Sequence, residues 1–335
     1  MKILLAGLYN AYGGSTFTLL QMKKALENNF EVVLRSPIKE ANEKQKCFFP
    51  NYTLNSLFKK LKVLKIFLCL LMNEFVYIKK SNFDYIMVND NLSLFVYGII
   101  SKVLNKKLVF RVEHIENDNL LQKIKDFLVY DKIYINEFMR RNNHYFIIRN
   151  ALIPFKCDKI DTNEIYIIGS IARNKNQLFG LKVFKKLLEN HPYYKLIIVG
   201  NILEDDYFEE LKKFIKRNHL ESKVIFKDFT KKEEIYKRAK IVFITSNFET
   251  FGFTFLESLY CNIPVVAPNI EAFKELSHLL DYNHLYKQNN LINCLEIFDT
   301  ILQKELGMEK IIINTFSIKE MEDNFYNYFK LKEYI

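Results

Sequence analysis

The chain has 335 residues, 49% apolar and 26% charged, a composition that excludes a disordered or fibrous protein and makes two domains of ordinary size the natural expectation. Its net charge of +10 is unevenly placed: residues 1–150 hold 23 Lys and Arg against 13 Asp and Glu, and the remainder holds 26 of each. A basic half suits an anionic surface or a phosphorylated ligand, but with no helix-turn-helix, RNA-binding aromatic pattern or zinc spacing, no nucleic-acid partner is expected.

Cys47, Cys69, Cys157, Cys261 and Cys294 are scattered and odd in number. Neither a disulfide framework nor a zinc site is expected, and a reducing cytoplasm fits best. Met1 runs directly into a strand-like segment, which leaves no room for a secretory leader. The longest apolar stretch, 63–72, contains Lys65 and is too short to span a bilayer; it reads as a buried or interfacial helix.

In chain order, residues 3–6 read as a strand, 8–14 as a turn, and Ser15 caps a helix to about residue 28. A strand at 31–35, a helical pattern at 55–80, a strand at 85–88, a helix at 94–104 and a strand at 108–112 follow. Residues 147–154 read as a strand ending at Pro154, with polar residues 156–164 beyond, and the domain boundary is placed there. The pattern then restarts with a strand at 165–168, a Gly169 turn, a helix at 177–190, a strand at 195–199 and a helix at 207–218. A strand at 224–226, a helix at 233–238, a strand at 241–245, a helix at 254–261 and a strand at 264–266 complete it. Ser317 and Glu320 have capping-box spacing, with Phe316 and Met321 as a staple, so a last helix should run to about residue 329. Ile318, Met321, Phe325 and Tyr328 would line one of its faces. The whole reads as α/β, with two doubly wound domains in tandem and a ligand cleft at the carboxyl ends of their strands.

The chemistry concentrates between Ser246 and Glu257. A buried strand delivers a polar loop, Gly252 lets the backbone approach a ligand, and the following helix aims its first amides at that place, an arrangement suited to a diphosphate. Glu249 and Glu257 are eight positions apart, and a carboxylate accepts well from vicinal sugar hydroxyls. The same spacing also fits a helix-capping acid and a surface acid.

This segment, with Cys261-Asn262-Ile263-Pro264-Val265-Val266-Ala267 after it, closely resembles the signature of glycosyltransferase family 4, retaining enzymes of the GT-B fold. The pattern is Glu, seven residues, Glu, with Phe-Gly after the first Glu, Leu before the second, and a Pro with a β-branched pair beyond; the usual Gly two positions before Pro264 is Asn262. The resemblance implies a GT-B fold, two Rossmann-like doubly wound domains facing across a cleft. Residues 1–153 would form the acceptor-binding domain, 154–315 the nucleotide-sugar domain, and 316–335 a helix packing back on the first.

It further implies that Glu249 contacts the donor sugar, Glu257 the ribose, and the backbone of Phe251, Gly252, Phe253 and Thr254 the diphosphate and sugar. The family's diphosphate-binding Lys aligns with Lys175. Its usual Arg is Ser170 here, so Arg173 is the candidate for a second charge. Gly13 and Gly14 resemble the family's Gly-rich first loop, and His114 stands where the family often carries a His beside the reacting sugar. A neutral imidazole there would donate to a sugar hydroxyl. With no Asp-x-Asp motif, no metal or other cofactor is expected beyond the nucleotide sugar as co-substrate.

The implied activity is transfer of a sugar from a UDP- or GDP-type donor to a glycan or lipid-linked acceptor with retention, in surface polysaccharide or glycolipid synthesis. Lys59, Lys60, Lys62 and Lys65, interleaved with apolar residues, suit an anionic inner-membrane surface. A nucleotide-sugar epimerase of the same fold and a non-catalytic nucleotide- or carbohydrate-binding protein are the alternatives.

Overall fold

The computed structural model describes residues 1–8, 14–43, 57–116, 119–139, 146–301 and 309–333. The chain divides into two compact units, Met1–Ala151 with Ile318–Ile335, and Leu152–Ser317.

In the first unit the chain runs β1 (Lys2–Ala6), α1 (Gly14–Leu26), β2 (Glu31–Arg35), α2 (Leu57–Lys80), β3 (Tyr85–Val88), α3 (Asn91–Leu104), β4 (Lys107–Val112), α4 (Leu120–Leu128), β5 (Asp131–Tyr134) and β6 (Phe146–Ile147). The strands pair in parallel in the order β2-β1-β3-β4-β5-β6. β1 and β3 are almost wholly buried, which is why they read as continuous apolar runs rather than alternating ones. α3 begins where the Asp90 carboxylate accepts from the Ser93 amide at 2.8 Å and stops at Asn105, whose φ of 50° is left-handed.

The second unit repeats the scheme. β7 (Glu164–Ile168), α5 (Gln177–Asn190), β8 (Lys195–Val199), α6 (Asp205–Arg217), β9 (Val224–Lys227), α7 (Lys232–Arg238), β10 (Ile241–Phe243), α8 (Phe253–Tyr260), β11 (Val265–Pro268), α9 (Glu271–Leu280), β12 (Leu285–Tyr286), α10 (Leu291–Ile301) and α11 (Glu309–Thr315) follow in order. Its six strands are ordered β12-β11-β10-β7-β8-β9, again all parallel.

The closing helix, α12 (Ile318–Glu333), belongs to the first unit. Met321, Phe325, Tyr328 and Phe329 enter that unit's core beside Leu19, Met22 and Met87. Phe329 meets Tyr85 edge-on at 5.0 Å, the Tyr328 hydroxyl donates to Asp131 at 2.9 Å, and Asn28 and Asn29 both donate to Glu322.

Three expectations need correcting. The strand expected over 147–154 is only β6, because its carboxyl half leaves the sheet to become the link between units. The segment 120–134, passed over in the sequence, forms α4 and β5. Finally, Cys157 and Cys261 are joined in a disulfide with Cα atoms 5.4 Å apart. Spacing along the chain gave no sign of the pair, since 104 residues separate its members. Cys294 is a buried free thiol; Cys47 lies outside the described residues. Among the described residues no helix is long and apolar enough to cross a membrane.

Candidate functional site

In the second unit, the loops following β7, β10 and β12 are stitched together by polar contacts. The Asn247 amide donates to the Asn174 carbonyl at 2.8 Å, the Thr245 hydroxyl to the Lys175 carbonyl at 2.6 Å, and Asn176 to both Asn247 and Asn289. Residues far apart in sequence are thereby fixed at one end of the sheet. The result is an ion pair, with Lys175 Nζ 2.5 Å from Glu249 Oε1. Ser246 Oγ donates to the same oxygen at 2.8 Å. Both contacts fall on Oε1.

Gly252 ends this loop with φ 92°, a left-handed conformation that glycine adopts without penalty. A Cβ there would stand 2.7 Å from the Phe273 ring, so the position has neither the dihedral nor the space for a side chain. α8 starts immediately after it, with the Phe255 and Leu256 amides donating back to the Gly252 carbonyl at 3.0 and 3.2 Å, so the helix N-terminus and its dipole point at this loop. Phe251, buried, packs on Phe253 at 5.0 Å and Phe316 at 6.0 Å, which anchors the loop from below. Phe253 and Thr254 stay partly exposed at the helix start.

Glu257 is no surface acid: it is buried on α8. Its Oε1 pairs with Lys232, and Tyr236 donates to its Oε2 at 2.8 Å. Burial first, and then the Glu257 carboxylate, push the Tyr236 phenol well above its ordinary value, so the hydroxyl stays protonated as a donor. Phe155 of the interunit link packs on Tyr236 at 5.5 Å and on Tyr260 at 5.4 Å. The Cys157–Cys261 disulfide ties that link to the end of α8. Lys232 and Tyr236 were not singled out in the sequence; four-residue spacing at the start of α7 was the only available signal.

Arg173 departs from its expected role. Its guanidinium bonds Asp206 and Glu210 at 2.8 Å each and lies over the Tyr207 ring. It is committed to the acidic start of α6 rather than to Lys175's neighbourhood. Ser170, in the place of the family's Arg, offers its carbonyl to Gln177.

In the first unit, His114 follows β4 at the sheet's carboxyl edge and is exposed. Desolvation, then the nearby Lys125, hold its imidazole below its ordinary value, with Asp90 pulling the other way. It is therefore neutral at pH 7. Behind it lies a buried network that sequence reading largely missed: Arg111 donates to Glu113 at 2.6 Å and to Asn150 at 2.7 Å, and Asn89 donates to Glu113 and to Thr18 on α1. Gly14 is the first residue of α1; Gly13 lies outside the described residues. Among the described residues, no group of three or more His, Cys, Asp or Glu gathers as a metal site.

Comparison with known proteins bears on this arrangement directly. Residues 153–316 match the family model of the glycosyl transferases group 1. That stretch is nearly the whole second unit. A similar curated protein is the O-antigen biosynthesis glycosyltransferase WclY of Escherichia coli, 36% identical over 168 residues, 44% of this chain and 46% of that protein. Another is the poly(glycerol-phosphate) alpha-glucosyltransferase of Bacillus subtilis, 33% identical over 101 residues, 30% of this chain and 15% of that one. The chain spans about half or less of the length of the curated relatives it matches. Among solved structures, HepE of Anabaena in complex with UDP-glucose superposes with a TM-score of 0.76 at 18% identity, covering 98% of this chain and 99% of that one. The fold is GT-B.

Proposed function

We propose that this protein is a retaining glycosyltransferase of family 4, moving a hexose from a UDP- or GDP-type donor to a glycan or lipid-linked acceptor in surface polysaccharide or glycolipid synthesis. The observation that carries the reading is the Lys175–Glu249 pair beside the Gly252 turn and the start of α8. A group 1 match over the same residues supports it, as do a relative named for O-antigen biosynthesis and a structural neighbour holding UDP-glucose.

The family resemblance implies the roles, and the chemistry supports them. When the nucleoside diphosphate departs, new negative charge appears on its β-phosphate, and Lys175 with the first amides of α8 neutralises it. Glu249 accepts from the hydroxyls of the transferred sugar, and Glu257, held by Lys232 and Tyr236, accepts from the ribose. Retention follows from same-face attack through an oxocarbenium-like state in which the leaving phosphate takes the acceptor's proton. Neutral His114 donates to a sugar hydroxyl. Since Lys175 and the amides supply the positive charge, chelation of divalent metal should leave transfer unchanged.

The test is a thermal-shift screen against nucleotides and nucleotide sugars, because a ligand of the native state raises the melting midpoint by mass action. A rise with one base and its diphosphate sugar is expected. No shift with any UDP, GDP, ADP or CMP compound would sink the proposal.

A further inference from the structure

α4 is built inside out. Its buried side carries Gln122, only 3% exposed and donating to Glu116 and Asp126, whereas Leu120 at 74% and Phe127 at 69% exposure stand on the outer side with Leu121 and Ile124. On a helix, positions 120, 124 and 127 share one face. A soluble surface helix arranges these residue types the other way round, and a contiguous exposed apolar face marks an interaction surface. The neighbouring helix α3 is in close contact, with a Gly98 Cβ position 2.9 Å from Leu128, and adds exposed Val103. On the far side of α3, α2 presents Leu68, Met72 and Val76, a second exposed line at four-residue spacing.

Charge indicates what covers this face. Lys123 on α4 and Lys102 on α3 are exposed beside it, and Lys102 Nζ sits 5.0 Å from the Phe127 ring centroid. The one acid on α4, Asp126, pairs with Lys132, which it shares with buried Glu116. The entire +10 excess of the chain falls in residues 1–150. Apolar side chains flanked by lysines match the interface of an anionic bilayer, where rings and aliphatic groups enter the acyl boundary and ammonium groups meet phosphate.

We propose that the outer face of α4, extended by α3 and α2, docks this protein on an anionic lipid surface, with Phe127 at its centre. The assignment deepens the reading of a lipid-linked acceptor, and it moves the centre of attachment from Lys59, Lys60 and Lys62, whose side chains lie outside the described residues, to α4.

The chain contains no Trp, so Phe127→Trp installs a single reporter in the full-length protein. Vesicles containing phosphatidylglycerol should shift its emission to the blue, lipids brominated in the acyl chain should quench it, and the control Phe229→Trp, exposed in the second unit, should respond to neither. Replacing Leu120, Ile124 and Phe127 together by Ser should lower co-sedimentation with those vesicles at least about tenfold; a preserved thermal shift with the donor nucleotide reports that this variant is folded. High salt should weaken binding. An unresponsive Phe127→Trp overturns the proposal, as does an equal response to neutral phosphatidylcholine vesicles, or a blue shift that needs only raised protein concentration and so reports a second copy on this face. None of these readouts uses sugar transfer, so failure here leaves the donor-site reading standing.

Discussion

Lys175 Nζ and Glu249 Oε1 are 2.5 Å apart although 74 residues separate them in sequence, because the loops after β7 and β10 are bonded backbone to backbone through Asn174 and Asn247. The pair joins the cation assigned to the leaving diphosphate to the carboxylate assigned to the sugar.

Lys175→Met should lower kcat about a hundredfold with a smaller change in donor KM, since the ammonium acts most strongly on charge that develops as the bond breaks. Lys175→Arg should recover part of the loss. The pair is about one-fifth exposed at each side chain, so its removal should cost about 1 kcal/mol or less of stability. Release of nucleoside diphosphate measures the first effect and denaturant unfolding the second. Unchanged turnover would remove Lys175 from the mechanism.

Tyr236→Phe deletes the buried donor to Glu257 while keeping the ring against Phe155. A buried hydrogen bond to a charged group contributes about 1.5–3 kcal/mol, so the affinity for the nucleoside diphosphate should fall about tenfold or more, with kcat at saturating donor little altered. Titration calorimetry decides between this and a purely structural role, which would lower the melting midpoint and leave affinity intact.

Gly252→Ala places a methyl where φ is 92° and the Phe273 ring is 2.7 Å away. The strain alone is about 1–3 kcal/mol, and the clash adds to it. A lower unfolding midpoint together with lost donor binding is expected; a variant with wild-type values for both would show that the turn does not need glycine.

Alkylation of the denatured, unreduced protein should leave Cys157 and Cys261 unlabelled, and reduction should expose both. Because the bond closes a loop of 104 residues, reduction should also lower stability, by up to about 5 kcal/mol. Labelling of both residues without reductant would refute the pairing.

The His114 imidazole should titrate below its ordinary value of about 6.5, followed by its ring proton resonances. Lys125→Met should raise the midpoint and Asp90→Asn should lower it, the signs set by the charge each removes. The unfolded chain takes this proton more readily than the folded one. Stability should therefore decline as pH falls through about 6.5 and level off below the folded midpoint. Transfer should fall over the same interval if the neutral ring is the donor to the sugar.

The sequence by itself determined the layered α/β plan, because parallel strands buried on both faces must be short apolar runs, and those runs are visible from Ile3 to Val266. It also determined the segment from Glu249 to Glu257, where strand, glycine turn and helix start are consecutive in the chain. The last helix was legible for the same reason: its cap and its Met321, Phe325, Tyr328 face obey local periodicity, and that face enters the core. Tertiary structure alone decided what lies across gaps in the chain: the Lys175–Glu249 pair, the burial of Glu257 beneath Lys232 and Tyr236, the turning of Arg173 toward Asp206 and Glu210, and the disulfide. α4 escaped notice because its apolar residues point outward, so the rule that apolar periodicity marks a core-facing helix had no core to find. Local pattern reports how a segment folds against whatever it meets. Which residues meet is set by long-range packing, which no short stretch of sequence contains.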